Sequence, residues 1–197
     1  LLTGVDLVIA NLFLGPNAMG ILSIAKTIPT AVETLLGTIA GVFTPQFTIL
    51  YSQNKKAELI KEVKFSTKLL SLLMTVPLAG FLVFGYSFYE LWMPYKTPDE
   101  IMQLQILSIL TVLPYILSAY IFTFSSLDTV TNKLKRPVIV QLILAILTVL
   151  TEIIAIQTTN LGLYALAGAS AFYWTLKIVV FNPINAAYNL EVKWNTF

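Results

Sequence analysis

Apolar runs of twenty or more residues recur along this chain, and they restrict the solvent in which it can fold. They cover residues 18–50, 65–93, 98–127, 137–157 and 161–181, after a shorter opening run over 1–14. At about 1.5 Å of rise per residue, roughly twenty apolar residues cross a hydrocarbon core about 30 Å thick. Hydrophobic residues make up 57% of the 197 and charged residues 11%, against about 25% charged in soluble domains. In water such a chain could not cover its surface with polar groups; in lipid it need not. The expected fold class is all-α integral membrane, a six-transmembrane-helix bundle forming a single membrane domain over 1–197.

The connections carry breaker and cap signals. Gly15-Pro16-Asn17 separates the first run from the second, Tyr51-Ser52-Gln53-Asn54 ends the second, and Met93-Pro94 ends the third. Thr97-Pro98-Asp99-Glu100 reads as a helix start with Thr97 as N-cap, Pro98 at the first helical position and Glu100 closing a capping box. Residues 55–68, with Leu59, Ile60 and Val63 on one face and lysines and glutamates elsewhere, read as a short amphipathic helix at the membrane surface. A solvated charged loop is the alternative. The opening run is too short to span and does not begin with Met, so the sequence reads as starting inside a helix with upstream residues missing.

The Lys and Arg residues alternate by loop. Lys55, Lys56, Lys61, Lys64 and Lys68, then Lys133, Lys135 and Arg136, then Lys193 fall on one side, nine in all, against Lys96 on the other. By the positive-inside rule the basic side is cytoplasmic. Tyr86, Tyr89, Trp92 and Tyr95 then read as an outer interfacial belt, with Tyr173 and Trp174 toward the inner side. Net charge is +2, which argues for no nucleic-acid partner. With no Cys and no His, zinc sites built on those residues, thiol nucleophiles and Ser-His-Asp triads are excluded. No constellation suggests catalysis, so no enzyme activity, cofactor or metal is expected.

Five ionisable residues lie inside the spans: Asp6, Lys26, Glu33, Glu152 and Lys177. A charge at mid-bilayer costs about 2.5–3.5 kcal/mol on insertion scales, so such residues face a cavity or pair with one another. Lys26 and Glu33, seven apart, share a helix face. The functional reading is a hydrophilic cavity for a charged substrate or a coupling ion. The alternative is structural pairing or, for Lys177 near the inner interface, snorkelling. Prolines occur within spans at Pro29, Pro45, Pro77 and Pro114. Pro29, between Lys26 and Glu33, is the candidate hinge, since a bend there re-aims both. Gly37 to Gly41 forms a GxxxG and residues 165–171 are rich in alanine, both packing signals.

The order of several short motifs resembles the oligosaccharide flippases of the multidrug/oligosaccharidyl-lipid/polysaccharide exporter superfamily. These motifs are Leu2-Thr3-Gly4-Val5-Asp6, Phe13-Leu14-Gly15, Met19 to Lys26 with Ile28-Pro29, Thr44-Pro45-Gln46, Asn132-Lys133 with Arg136-Pro137, Asn182-Pro183 with Ala186-Ala187, and the closing Lys193-Trp194-Asn195-Thr196-Phe197. The resemblance implies one lobe, the second, of a two-lobe transporter of twelve to fourteen helices, with the N-terminal lobe missing here. It implies a multi-pass protein of the bacterial cell membrane that flips undecaprenyl-linked oligosaccharide from the inner to the outer leaflet by ion-coupled alternating access. The implied partners are the lipid-linked oligosaccharide, a coupling cation (H+ or Na+) and the lipid bilayer. Lys26 would contact the pyrophosphate, and Asp6 and Glu33 would hold the cation or polarise Lys26. The family cavity is basic, whereas here three carboxylates accompany the lysines. A multidrug/cation antiporter of the same superfamily, a non-transporting scaffold of envelope assembly and a membrane-bound transferase are the alternatives.

Overall fold

The computed structural model describes residues 2–119, 121–193 and 196. Most of the closing run 193–197 quoted above lies outside the described residues. The described residues are helical and contain no strand. The segments are α1 (Leu2–Leu14), α2 (Pro16–Ala25), α3 (Thr27–Ser52), α4 (Lys56–Trp92), α5 (Pro98–Ser118), α6 (Phe124–Val130), α7 (Lys135–Thr158), α8 (Leu163–Thr175), a π-helical turn (Leu176–Phe181) and α9 (Asn182–Asn189). Among them are five stretches long and apolar enough to cross a membrane, α8 through α9 counting as one.

Tight turns make successive spans antiparallel, and three apolar clusters stack along the bundle. The cluster at one end joins Ile9, Leu22, Tyr89, Met93, Ile101 and Leu163. The middle one joins Val32, Leu36, Leu70, Met74, Val112 and Tyr115. The third, at the basic end, joins Leu50, Leu59, Val63, Leu127, Ala186 and Leu190. The up-and-down order read from the charges is therefore the order in which the helices pack. Outward faces remain apolar, as in Val76, Leu91, Val138 and Leu142, each more than 60% exposed. Burial in water would demand that these be covered; in a bilayer they meet lipid.

The helix ends follow local chemistry. Thr97 and Glu100 form the capping box, the Glu100 N–H donating to Thr97 Oγ1 at 3.4 Å and the Thr97 N–H to Glu100 Oε2 at 2.9 Å. The alanine-rich run buries Ala165, Ala167, Ala169 and Ala171, and this small-residue face lets α8 approach α5 and α7 closely.

Several expectations need correction. The run over 18–50 is two helices bent at Lys26, because Pro29 has no N–H to give the Ala25 carbonyl. The Ser108 hydroxyl donates to that carbonyl instead, at 2.7 Å. The run over 98–127 breaks after Ser118 into turns before α6. The final span continues past 181 through a π-helical turn, with Pro183 just beyond it again lacking the donor that regular α-bonding needs. Residues 55–68 are not a separate surface helix. They form the first third of α4, 37 residues long, about 55 Å at 1.5 Å per residue. Leu59 and Val63 pack against protein rather than lipid headgroups. Tyr89 is no belt residue: it is fully buried, whereas Trp92 and Tyr95 are exposed. The glycines of the GxxxG lie on an exposed face, with Phe122 4.0 Å from a Cβ built at Gly37 and nothing within 4 Å of one at Gly41.

Candidate functional site

The bend at Lys26 sets up a cavity between α3, α5, α7 and α8. Its volume is about 70 Å³, and it is partly open to the surroundings. Lys26, Glu33, Tyr115, Gln141, Trp174 and Lys177 all line it. Thr111, Thr148 and Ser170 add hydroxyls to the wall. The cavity lies beside the middle apolar cluster, which shares Tyr115 and Trp174 with it. It therefore sits at mid-depth of the bundle.

All five sequence-selected residues are in or against this cavity. Asp6, 2% exposed, forms an ion pair with Lys26, 15% exposed. The Leu7 N–H adds a donor to Asp6 Oδ1 at 3.0 Å. Asp6 thus stands behind Lys26 rather than in the wall. Glu33 faces inward from α3 and accepts from the Tyr115 hydroxyl at 2.9 Å. Glu152, 1% exposed, lies behind the wall at Ser170, whose Oγ donates to its Oε1 at 2.7 Å. Lys177 does not snorkel. Its ammonium donates to Gln141 Oε1 and stands 4.9 Å from the Trp174 ring centroid, a cation–π distance. Because the last span runs on to Asn189, Lys177 is twelve residues, about 18 Å of helix, from its basic end.

Pro29, the candidate hinge, is buried beside Lys26. The bend is held by a short chain of hydroxyls. Ser108 has one proton, which goes to Ala25 O at 2.7 Å or Leu104 O at 2.8 Å. Tyr89, with its oxygen 2.6 Å from Ser108 Oγ, must therefore be the donor of that pair.

Sequence reasoning missed Tyr115, Gln141 and Ser170, which complete the wall, and Tyr173 and Trp174, expected at the inner interface, line the cavity instead. Gln141 carried a signal, an amide inside an apolar run. A search for charges alone passes over it. Asp128 was passed over because it falls one residue beyond the end assigned to the fourth run. It is 7% exposed and lies at the basic end, outside the membrane-crossing segments. Asn185 Nδ2 donates to its Oδ1 at 2.7 Å and Asn189 Nδ2 to the same oxygen at 2.8 Å. Burial pushes its pKa up to about 6, and the two amide donors oppose that shift without cancelling it.

Chemically the cavity offers one ammonium neutralised by a buried carboxylate, one held by a neutral amide and an indole, and a carboxylate bonded to a phenol. It can receive an anionic or oxygen-rich group at Lys177 and a cation at Glu33. Lining aromatics supply flat apolar surface between them. No protein-family model matches the chain, and no solved structure matches it. EpsK, an uncharacterized membrane protein of Bacillus subtilis (strain 168), is 28% identical over 182 residues, 91% of this chain and 35% of that protein. The chain is a multi-pass membrane protein. It spans about a third of the length of this relative.

Proposed function

We propose that this chain is one lobe of a transporter that moves lipid-linked oligosaccharide from the cytoplasmic to the outer leaflet of a bacterial cell membrane. The observation that carries the reading is the convergence of Asp6, Lys26, Glu33, Glu152 and Lys177 on one mid-depth cavity. Isolated charges in lipid-facing positions would serve no such purpose, and intramembrane ionisable groups that meet around a cavity mark substrate or ion pathways. Lys26 and Lys177 suit a phosphate-bearing head group. Gln141 and the lining hydroxyls suit sugar oxygens. Glu33 suits a coupling cation, H+ or Na+. The resemblance of the short motifs to oligosaccharide flippases supports the substrate class, and the longer membrane relative supports a larger whole. The missing lobe would supply the facing wall.

A second reading, a multidrug/cation antiporter, is favoured by the three carboxylates and by Trp174, Tyr115 and Tyr173 around the cavity. Proteoliposomes holding the full-length protein separate the two. Translocation of a fluorescent polyprenyl-diphosphate sugar that is lost in Lys177→Ala supports the flippase. Uptake of an organic cation, with no effect of the lipid-linked sugar on it, would replace that reading with the antiporter.

A further inference from the structure

At the basic end of the bundle, away from the cavity, α6 is tied to α9 by a buried polar cluster. Asp128 on α6 receives the side-chain amides of Asn185 and Asn189 on α9 at 2.7 and 2.8 Å. Asp128, Asn185 and Asn189 are 7%, 3% and 2% exposed. Both bonds reach one carboxylate oxygen, and Asn189 Oδ1 is left buried with no donor. Buried acceptors without donors are rare and ask for an explanation. A backbone irregularity precedes each helix that carries the cluster: the turn after Ser118 before α6, and the π-helical turn Leu176–Phe181, inside the last span, before α9. They also share an apolar cluster separate from the middle one, in which Leu127 of α6 meets Ala186 of α9. That cluster also takes in Phe47 and Leu50 of α3 and Leu59 and Val63 of α4, so any separation of α6 from α9 occurs against a packed base.

We infer that Asp128 is a proton-binding site that governs closure of the basic end by holding α6 against α9. Its ligand is a proton from the basic-side solvent. The protonated carboxyl gains a donor, and a half-turn of the Asn189 amide presents the unpartnered oxygen to it. Ionised, Asp128 is a charge held out of water, and separation of α6 from α9 rehydrates it. The charge acting on Asp128 is Lys177 from the π-helical turn; nearby, the Lys133 ammonium donates to the Asn189 backbone carbonyl at 3.0 Å and the Lys56 ammonium to the Glu191 backbone carbonyl at 3.2 Å. Lys177 tempers the cost of the charge without removing it. The sign follows from linkage. A carboxyl raised from 3.8 to about 6 in the packed form binds its proton more tightly there than when exposed. Low pH therefore favours closure, and that preference is lost as pH rises through about 6.

The chain has no cysteine, so Ala186→Cys, buried in the α6–α9 contact, can be read alone in the full-length protein in membranes. Its reaction with an impermeant maleimide is scaled to that of exposed Thr129→Cys. The expected result is labelling about tenfold faster at pH 7.5 than at pH 5.0. Added Asp128→Asn, which keeps an oxygen for both amides but carries no charge, should hold labelling slow at both values. Labelling flat with pH, or a pH dependence retained in Asp128→Asn, overturns the inference. If Asp128→Asn does not reach the membrane, hydrogen exchange over 124–131 and 182–192 of the unsubstituted protein decides. Exchange corrected for its intrinsic pH dependence must show the same loss of protection, and its absence rejects the site. None of these readouts requires transport, so failure of the substrate assignment would leave them unchanged.

Discussion

Removing Lys26 should cost far more than removing Lys26 and Asp6 together. Asp6 is 2% exposed, and its ion-pair partner Lys26 is 15% exposed at the cavity wall, so the buried carboxylate depends on the ammonium. Lys26→Ala leaves a buried carboxylate with the Leu7 N–H as its remaining described donor. Breaking one side of a buried pair costs about 3–5 kcal/mol, whereas replacing both partners by apolar residues of similar volume is near neutral or stabilising. Asp6→Leu with Lys26→Met should therefore recover most of the loss. The difference between the single and double variants corresponds to about a hundred- to thousandfold in the folded-to-unfolded ratio. Reversible unfolding of the full-length protein in bicelles by steric trapping measures it. A single variant within about 1 kcal/mol of wild type, or a double variant no better than the single, would show that the pair is not dry and that the geometry has been misjudged. The same variants bear on function. If the charges serve transport, the double variant folds but does not transport; if they are only structural, it does both.

Other consequences follow from individual contacts. Ser108→Ala should destabilise by about 2–4 kcal/mol, because it orphans both the Ala25 carbonyl and the Tyr89 hydroxyl, while Tyr89→Phe should cost about 1 kcal/mol or less; denaturant titration of the pair checks the ordering. Pro29→Ala restores an N–H to the Ala25 carbonyl and should straighten α2 onto α3, read as a changed distance between spin labels at exposed Ser23 and Thr38. Gly85→Ala places a Cβ against the buried Gln105 amide and should cost about 1–3 kcal/mol, relieved by adding Gln105→Ala; unfolding midpoints of the three proteins test it. Ser170→Ala removes the donor to buried Glu152 and should lower stability by about 1–3 kcal/mol, with a smaller loss when Glu152→Gln is already present.

The fold class and the span order were legible because they rest on properties that add up along a sequence. Hydrophobic length gives crossing helices, and the nine-to-one distribution of basic residues between sides gives their direction. The five ionisable residues were legible one at a time, since each is costly in lipid wherever it falls. That they converge was not legible, because convergence depends on which helices become neighbours. Lys177 illustrates the difference. Its position in the apolar run places it near an interface, but the span continues to Asn189 and brings it into the cavity. Leu59 and Val63 were correctly read as an apolar face, yet sequence does not say whether lipid or α6 and α9 will cover such a face. Tyr115, Gln141 and Ser170 were invisible for a related reason. Neutral polar groups in a span are cheap when bonded, so only the neighbours show which of them line a site. Asp128 lies beyond the spans, where a carboxylate is ordinary in sequence, and only the packing of α6 against α9 buries it.

Complementation asks whether the mid-depth cavity carries a lipid-linked sugar. The full-length protein is expressed in a strain lacking its own oligosaccharide flippase, and surface polysaccharide is measured alongside membrane abundance. The account expects polysaccharide to be restored by the unaltered protein and lost in Lys177→Ala and Glu33→Ala at equal abundance. Restoration that survives both substitutions, or none from a protein present in the membrane, would contradict it.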